Sequence, residues 1–272
     1  MAFISYHARI GIRVNDARAL QRIVDLLPAG SVPSPTPVVP DLFSVIVAST
    51  RDSGPKPPTS HLKRFNLLYL GAALIVRTLD EEELFQILEE HVQRLVALQS
   101  PRRLFIRGHV LRKYDRAILI ASDPNDAALI DALLRDGASE FSTSYAVLDA
   151  RGNAYRYSSA MPRFDWSACS VPGPGDGPVS LPVDTVLFPR LTTANTVPMR
   201  ELTRAQASLR LLPHTAVGRM RPRFALAMLA RSLRTAVAFE VAVEPVSAGS
   251  LEGGPHVSTC ATSSFDRAGA RS

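Results

Sequence analysis

The residues best placed to do chemistry lie where a continuously apolar run meets an amphipathic one. Residues 116–121 read RAILIA and residues 126–135 read DAALIDALLR, with Ser122, Asp123, Pro124 and Asn125 between them. A strand, tight loop and helix in this order present free helix N-terminal amides to an anion, which is how phosphate groups bind in many α/β proteins. A working phosphate loop adds glycines that wrap the anion, a lysine for the outer phosphates and a hydroxyl for magnesium. This loop has no glycine and no lysine. Asp123 suits an N-cap, Pro124 a first helical position and Asp126 a first turn, so the residues make a good helix start. The same carboxylates oppose a triphosphate. At an effective dielectric of about 20, one unit-charge pair at ~4 Å is worth roughly 4 kcal/mol, and here its sign is adverse. Ser122, Asp123, Asn125 and Asp126 therefore form a degenerate cofactor-binding loop, and no residue is assigned to a metal.

Other residue types with chemical potential surround it. His109, beside Gly108, and Arg107 are the candidates for any residual catalysis, although a lone histidine in a strand is usually structural. Arg107, Lys113 and Arg116 are the cations an unorthodox loop would draw on, since arginine holds phosphate bidentately. Ser142, Thr143 and Ser144 offer neutral hydroxyls, weak magnesium ligands beside carboxylates. They lack the Gly-x-Ser-x-Gly setting of a nucleophile. Glu140 is offset from the position a metal ligand would need, and Asp149 suits a turn cap before Arg151-Gly152. His7, His61, His91, His214 and His256 show no ligand spacing. Cys169 and Cys260 stand far apart with no redox or ligand motif, as a reducing compartment allows.

These residues need a scaffold, and hydrophobic periodicity supplies its outline. Strands are expected over 4–14, 41–49, 103–112, 116–121, 144–149, 183–188 and 237–243, with a hairpin over 64–77 through Leu70-Gly71. Helices are expected over 16–27 behind Asn15 or Asp16, from Asp80 to about Ala97, over 124–135 and over 222–236. A further one follows Thr203. Asp80 with Glu83 and Thr203 with Gln206 have capping-box spacing. Gly137 ends the helix before it, and Arg151-Gly152 turns the chain into a short edge strand. Residues 31–40, 50–61 and 161–182 read as loops, the last centred on Pro172-Gly173-Pro174-Gly175-Asp176-Gly177. Residues 247–272 read as a disordered tail.

Composition narrows the function classes. The chain has 272 residues, 46% of them hydrophobic and 21% charged, which is globular composition. Its apolar runs are too short to span a membrane and the N-terminus lacks a signal-peptide pattern, so a cytoplasmic protein with no membrane partner is expected. Net charge is +6, and the basic excess lies in the C-terminal third. Its arginines are spaced as the polar faces of amphipathic helices without interleaved aromatics, so nucleic acid is not the expected partner.

Residues 116–149 and the RGNAYRY stretch after them resemble the core of the HPr serine kinase/phosphorylase-like family, whose fold is related to phosphoenolpyruvate carboxykinase. The likeness rests on Ala128 to Leu134, on Gly137-Ala138 and on Tyr145 to Asp149, and extends more weakly over about residues 5–245. It implies an α/β, HPr kinase C-terminal domain-like mixed-sheet core over residues 100–246, after a small α+β region over 1–99 and before the tail. Family members carry a lysine in the loop and an acidic pair after the helix that helps hold magnesium. This chain has no lysine there and has Ser142-Thr143-Ser144 in place of the acids. The resemblance thus implies a catalytically inactive relative without cofactor, acting as a regulatory or accessory subunit on a protein or peptide partner. Two alternatives remain: an ATP- and magnesium-dependent serine kinase with an atypical loop, and a small-molecule binder or repurposed enzyme. Oligomeric state is open.

Overall fold

The computed structural model describes residues 1–28, 30–48, 64–121, 126–157, 180–191 and 199–243. They form an α/β fold with two sheets containing parallel and antiparallel pairs, in two compact units, the first over residues 1–101. The expected loop at 50–61 and the tail at 247–272 lie outside the described residues.

The first unit opens with β1 (Ala2–Ser5) and β2 (Ala8–Val14). The single strand expected over 4–14 is instead a hairpin. Tyr6 and His7 take left-handed backbone, with φ of 48° and 70°, and reverse the chain in two residues. Glycine or asparagine usually marks such a turn, and neither is present. Helix α1 (Ala17–Asp25) is capped by Asp16, whose carboxylate accepts from the Arg18 N–H at 2.9 Å. Asn15 does other work, accepting the Val47 N–H at 2.8 Å and donating to the Val47 carbonyl at 3.0 Å.

Strands β3 (Val32–Pro33), β4 (Asp41–Ile46), β5 (Asn66–Leu70) and β6 (Ala73–Thr78) complete a sheet of order β3-β1-β2-β4-β5-β6. Only β2 and β4 pair in parallel in it. Helix α2 (Glu81–Gln99) packs against β2, β5 and β6, burying Leu84, Leu88, Val92 and Val96. Each such side chain contributes roughly 1.5–3 kcal/mol. Asp80 caps α2 as expected, but Glu83 does not return to its N–H. The Thr78 hydroxyl stands between them, accepting the Asp80 N–H at 3.0 Å and donating to the Glu83 carboxylate.

The second unit comprises β7 (Leu104–Lys113), β8 (Arg116–Ala121), α3 (Asp126–Arg135), β9 (Ser139–Ser142), β10 (Tyr145–Leu148), β11 (Asn153–Tyr155) and β12 (Ser180–Leu191). It continues through β13 (Arg200–Leu202), α4 (Arg204–Leu211), α5 (Pro222–Ser232) and β14 (Val237–Val243). The strand order is β11-β10-β7-β8-β12-β14-β13, with β9 also on β7. Strands β8, β12 and β14 are mutually parallel. Ala117 to Ala121 are all buried, as a strand covered on both faces requires. Ala128, Leu129 and Leu133 of α3 share a core with Ile118, Ile120, Leu187 and Val241.

Strand β11 is not an edge. It pairs with β10 on one side and β12 on the other, Asn153 facing Pro182 and Tyr155 facing Ser180. Strand β12 begins at Ser180, inside the stretch expected to be loop, and those extra residues supply β11 with its second partner. The ring β10-β7-β8-β12-β11 is thereby closed. At its other end β12 outruns β8: that pairing stops at Leu187, while pairing with β14 continues to Leu191 and includes Pro189.

Helix α4 carries the expected capping box, with Gln206 N–H donating to the Thr203 hydroxyl at 3.3 Å and Thr203 N–H to the Gln206 side chain at 3.0 Å. Helix α5 opens at Pro222.

Candidate functional site

In α/β folds, open or closed, ligands commonly sit at the carboxyl ends of the parallel strands. Here β8 ends at Ala121, which pairs with Gly108 of β7. Helix α3 is described from Asp126, in its first turn. Ser122, Asp123, Pro124 and Asn125 lie outside the described residues. The Asp126 carboxylate stands 3.8 Å from Nε2 of His109, both side chains being largely buried. That separation is too long for a hydrogen bond and short enough for an ion pair once the imidazole is protonated. Arg107, exposed and paired across the sheet with Tyr145, lies two residues from His109. Arg107, His109 and Asp126 thus come to one end of the sheet.

The other two cations do not join them, and chain direction is the reason. Lys113 ends β7 and its ammonium binds Asp136 at 2.7 Å, just beyond the far end of α3. At 1.5 Å rise per residue, that is about 15 Å from Asp126. Arg116 opens β8, roughly 16 Å from the strand's carboxyl end, and stands 3.9 Å from Asp184.

The serine-rich segment has a structural task at its first residue. Ser142 is buried, its Oγ 2.7 Å from the Tyr145 carbonyl and 2.9 Å from the Tyr157 carbonyl, and it accepts the Tyr157 N–H at 3.2 Å. It thereby ties the break between β9 and β10 to the strand end after β11. Tyr145 and Tyr157 pack edge to face with each other at 5.8 Å and with Phe105 at 6.0 and 5.2 Å. A carboxylate at position 142 would face these carbonyls without solvent. Thr143 and Ser144 are exposed. Glu140 is exposed on β9, and among the described residues no group of three or more His, Cys, Asp and Glu could hold a metal. His61, His256, Cys169, Cys260 and the loop at 172–177 lie outside the described residues.

The densest polar cluster among the described residues is one the sequence revealed only in part. Asp149 does cap its turn, accepting from Arg151 N–H at 2.8 Å and Asn153 N–H at 2.9 Å. It also accepts from the Asn153 amide at 3.2 Å and the Tyr155 hydroxyl at 3.0 Å, with Arg103 at 3.4 Å. The Arg103 guanidinium stacks 4.0 Å from the Tyr155 ring centroid, and Ser232 of α5 donates to the Asp149 carbonyl at 2.6 Å. Burial pushes the Asp149 carboxyl up, but the hydrogen bonds from Asn153, Tyr155 and Arg151 outweigh it and hold the group below the usual carboxylate value. Burial and the Asp149 bond raise the Tyr155 hydroxyl. The Asp149 carboxylate is filled by donors from within the fold, so the cluster is a fastening. The pattern Asp-x-Arg-Gly-Asn-x-Tyr hinted at it, but Arg103 and Ser232 are too distant in sequence to be foreseen. Comparison with protein-family models, with curated proteins and with solved structures returns no match for the chain.

Proposed function

We propose that the chain is a non-catalytic relative of the HPr serine kinase/phosphorylase-like fold, acting as a regulatory or accessory subunit through protein or peptide contacts. The observation that carries this reading is the distribution of charge along α3. A carboxylate, Asp126, occupies the amide-rich end where a phosphate would bind, and Lys113, the only lysine among the described residues, is committed to Asp136 at the other end. Phosphoryl transfer depends on positioning the phosphates and neutralising their charge. The buried Ser142 adds support, since its hydroxyl serves the β9–β10 break at the place where the family resemblance puts magnesium-binding acids.

Calorimetry with ATP, GTP and pyrophosphate in the presence of magnesium tests the reading. No heat of binding is expected, and micromolar affinity for any of the three would overturn it. Asp126→Asn should raise anion binding. Unchanged binding would remove the electrostatic argument.

A second reading, an ATP- and magnesium-dependent kinase of a serine in a protein or peptide, draws on one observation. Arg107 is exposed at the correct end of the sheet and could meet a phosphate. Phosphate transfer to a protein substrate that disappears in Arg107→Ala would favour it.

A further inference from the structure

The helical part of the second unit carries charge of one sign. Between Leu202 and Phe239 the chain has seven arginines and neither Asp nor Glu. One of them, Arg210, is bound by Glu240 of β14 at 2.8 Å. The other six arginines of that stretch form no ion pair with an acid among the described residues. The concentration peaks where the chain enters α5. Arg219, Met220, Arg221 and Arg223 are all exposed, Met220 at 71%. Helical spacing then places Arg223 and Arg231 on one exposed face of α5, separated by Ala227 and Ala230, and Arg234 follows at its end. Small side chains between the arginines leave room for a partner's backbone to come close.

We propose that this face docks an acidic, amphipathic segment of a partner protein. Arginine rather than lysine suits it, because a guanidinium forks onto a carboxylate with two parallel hydrogen bonds. The exposed Met220 supplies an apolar contact that a carboxylate-only or phosphate-only partner would leave unused. Single-stranded nucleic acid needs stacking platforms, and residues 199–243 expose no aromatic ring. The nearest ring, Phe224, is half-buried with the Arg221 guanidinium 5.3 Å from its centroid. An anionic membrane requires a second anchor beside a basic cluster, and one methionine is too little apolar area for that. The proposal does not depend on the state of the nucleotide loop, since none of its residues belongs to that loop, to β8 or to α3.

Fluorescence anisotropy with the full chain tests it. The probe is a labelled helical peptide with Glu and Leu on one face. Controls are the same peptide with Gln for Glu, a DNA duplex, and phosphatidylserine vesicles followed by co-sedimentation. The acidic peptide should bind with an affinity that falls as salt rises, and the Gln peptide should not. The triple variant R219A/R221A/R223A should weaken binding by about tenfold. Met220→Ser should weaken it less, and Arg94→Ala, on exposed α2 surface, not at all. The proposal is overturned if the peptide fails to bind, if the triple variant binds as the parent does, or if the duplex or the vesicles bind more tightly than the peptide. Circular dichroism of each variant separates a lost contact from a lost fold. Nucleotide is absent throughout, so failure here leaves the nucleotide-site reading standing.

Discussion

Two polar clusters in the second unit look alike in composition and differ in how they are wired. At the end of β8, Arg107, His109 and Asp126 come to one end of the sheet, with the Asp126 carboxylate 3.8 Å from His109. At the end of β10, Asp149 accepts four hydrogen bonds on its carboxylate, takes Arg103 as a counter-ion and lends its carbonyl to Ser232. The first resembles a site in residue type, and the second holds the fold. A charged residue near a loop is therefore a poor guide to role until its partners are counted.

The sharpest way to break this contrast is to remove the centre of the second cluster. Asp149→Ala leaves Arg103, Tyr155 and two main-chain N–H groups without their acceptor, and should cost about 3–5 kcal/mol in urea unfolding. Gly152→Ala comes next. Gly152 has φ of 89°, and an added Cβ would meet the Ser232 carbonyl oxygen at 2.7 Å, so a loss of about 2–3 kcal/mol is expected by the same measurement. Ser142→Ala should cost about 1–2 kcal/mol by removing the hydroxyl that joins the Tyr157 main chain to the β9–β10 break. At the other cluster, His109→Ala should change stability by no more than about 0.5 kcal/mol. A larger effect would show that the 3.8 Å approach is a fastening after all.

Acid titration sharpens the same comparison. The Asp149 carboxyl is held below its usual value of 3.8, so its stabilisation is complete above that pH and is lost as pH falls through the lowered value. The stability advantage of the parent over Asp149→Asn should shrink progressively on acidification below the usual carboxylate value. An advantage that stays constant into strong acid would mean the carboxylate's charge is not what the donors recognise.

Elements with strong local signals were legible in the sequence. Helix α2 announced itself through Asp80 and the Leu84-Leu88-Val92 stripe, α4 through Thr203 and Gln206, and β8 through its unbroken apolar run. Features that depend on distant partners were not. Tyr6-His7 turns the chain without the glycine that usually marks such a turn. Thr78 displaces Glu83 from the Asp80 cap because the strand before α2 delivers a hydroxyl there. The early start of β12 at Ser180 goes with its pairing to β11, whose residues lie 25 to 29 positions upstream and outside any local window. For the candidate site, residue types gave Asp126 its place in the first turn of α3. Strand direction, which residue types do not carry, separated Lys113 and Arg116 from it.

The unequal lengths of β8 and β12 have a consequence for how the molecule behaves at high concentration. Past Leu187, β12 pairs with no β8 residue among the described residues, although β14 accompanies it to Leu191 and Phe188 and Pro189 stay buried; a strand margin that lacks one neighbour is where another molecule could add. Pro189 sits in that stretch and has no N–H to offer an intruder. One missing rung in so short a ladder makes this margin of the sheet a poor template for self-association.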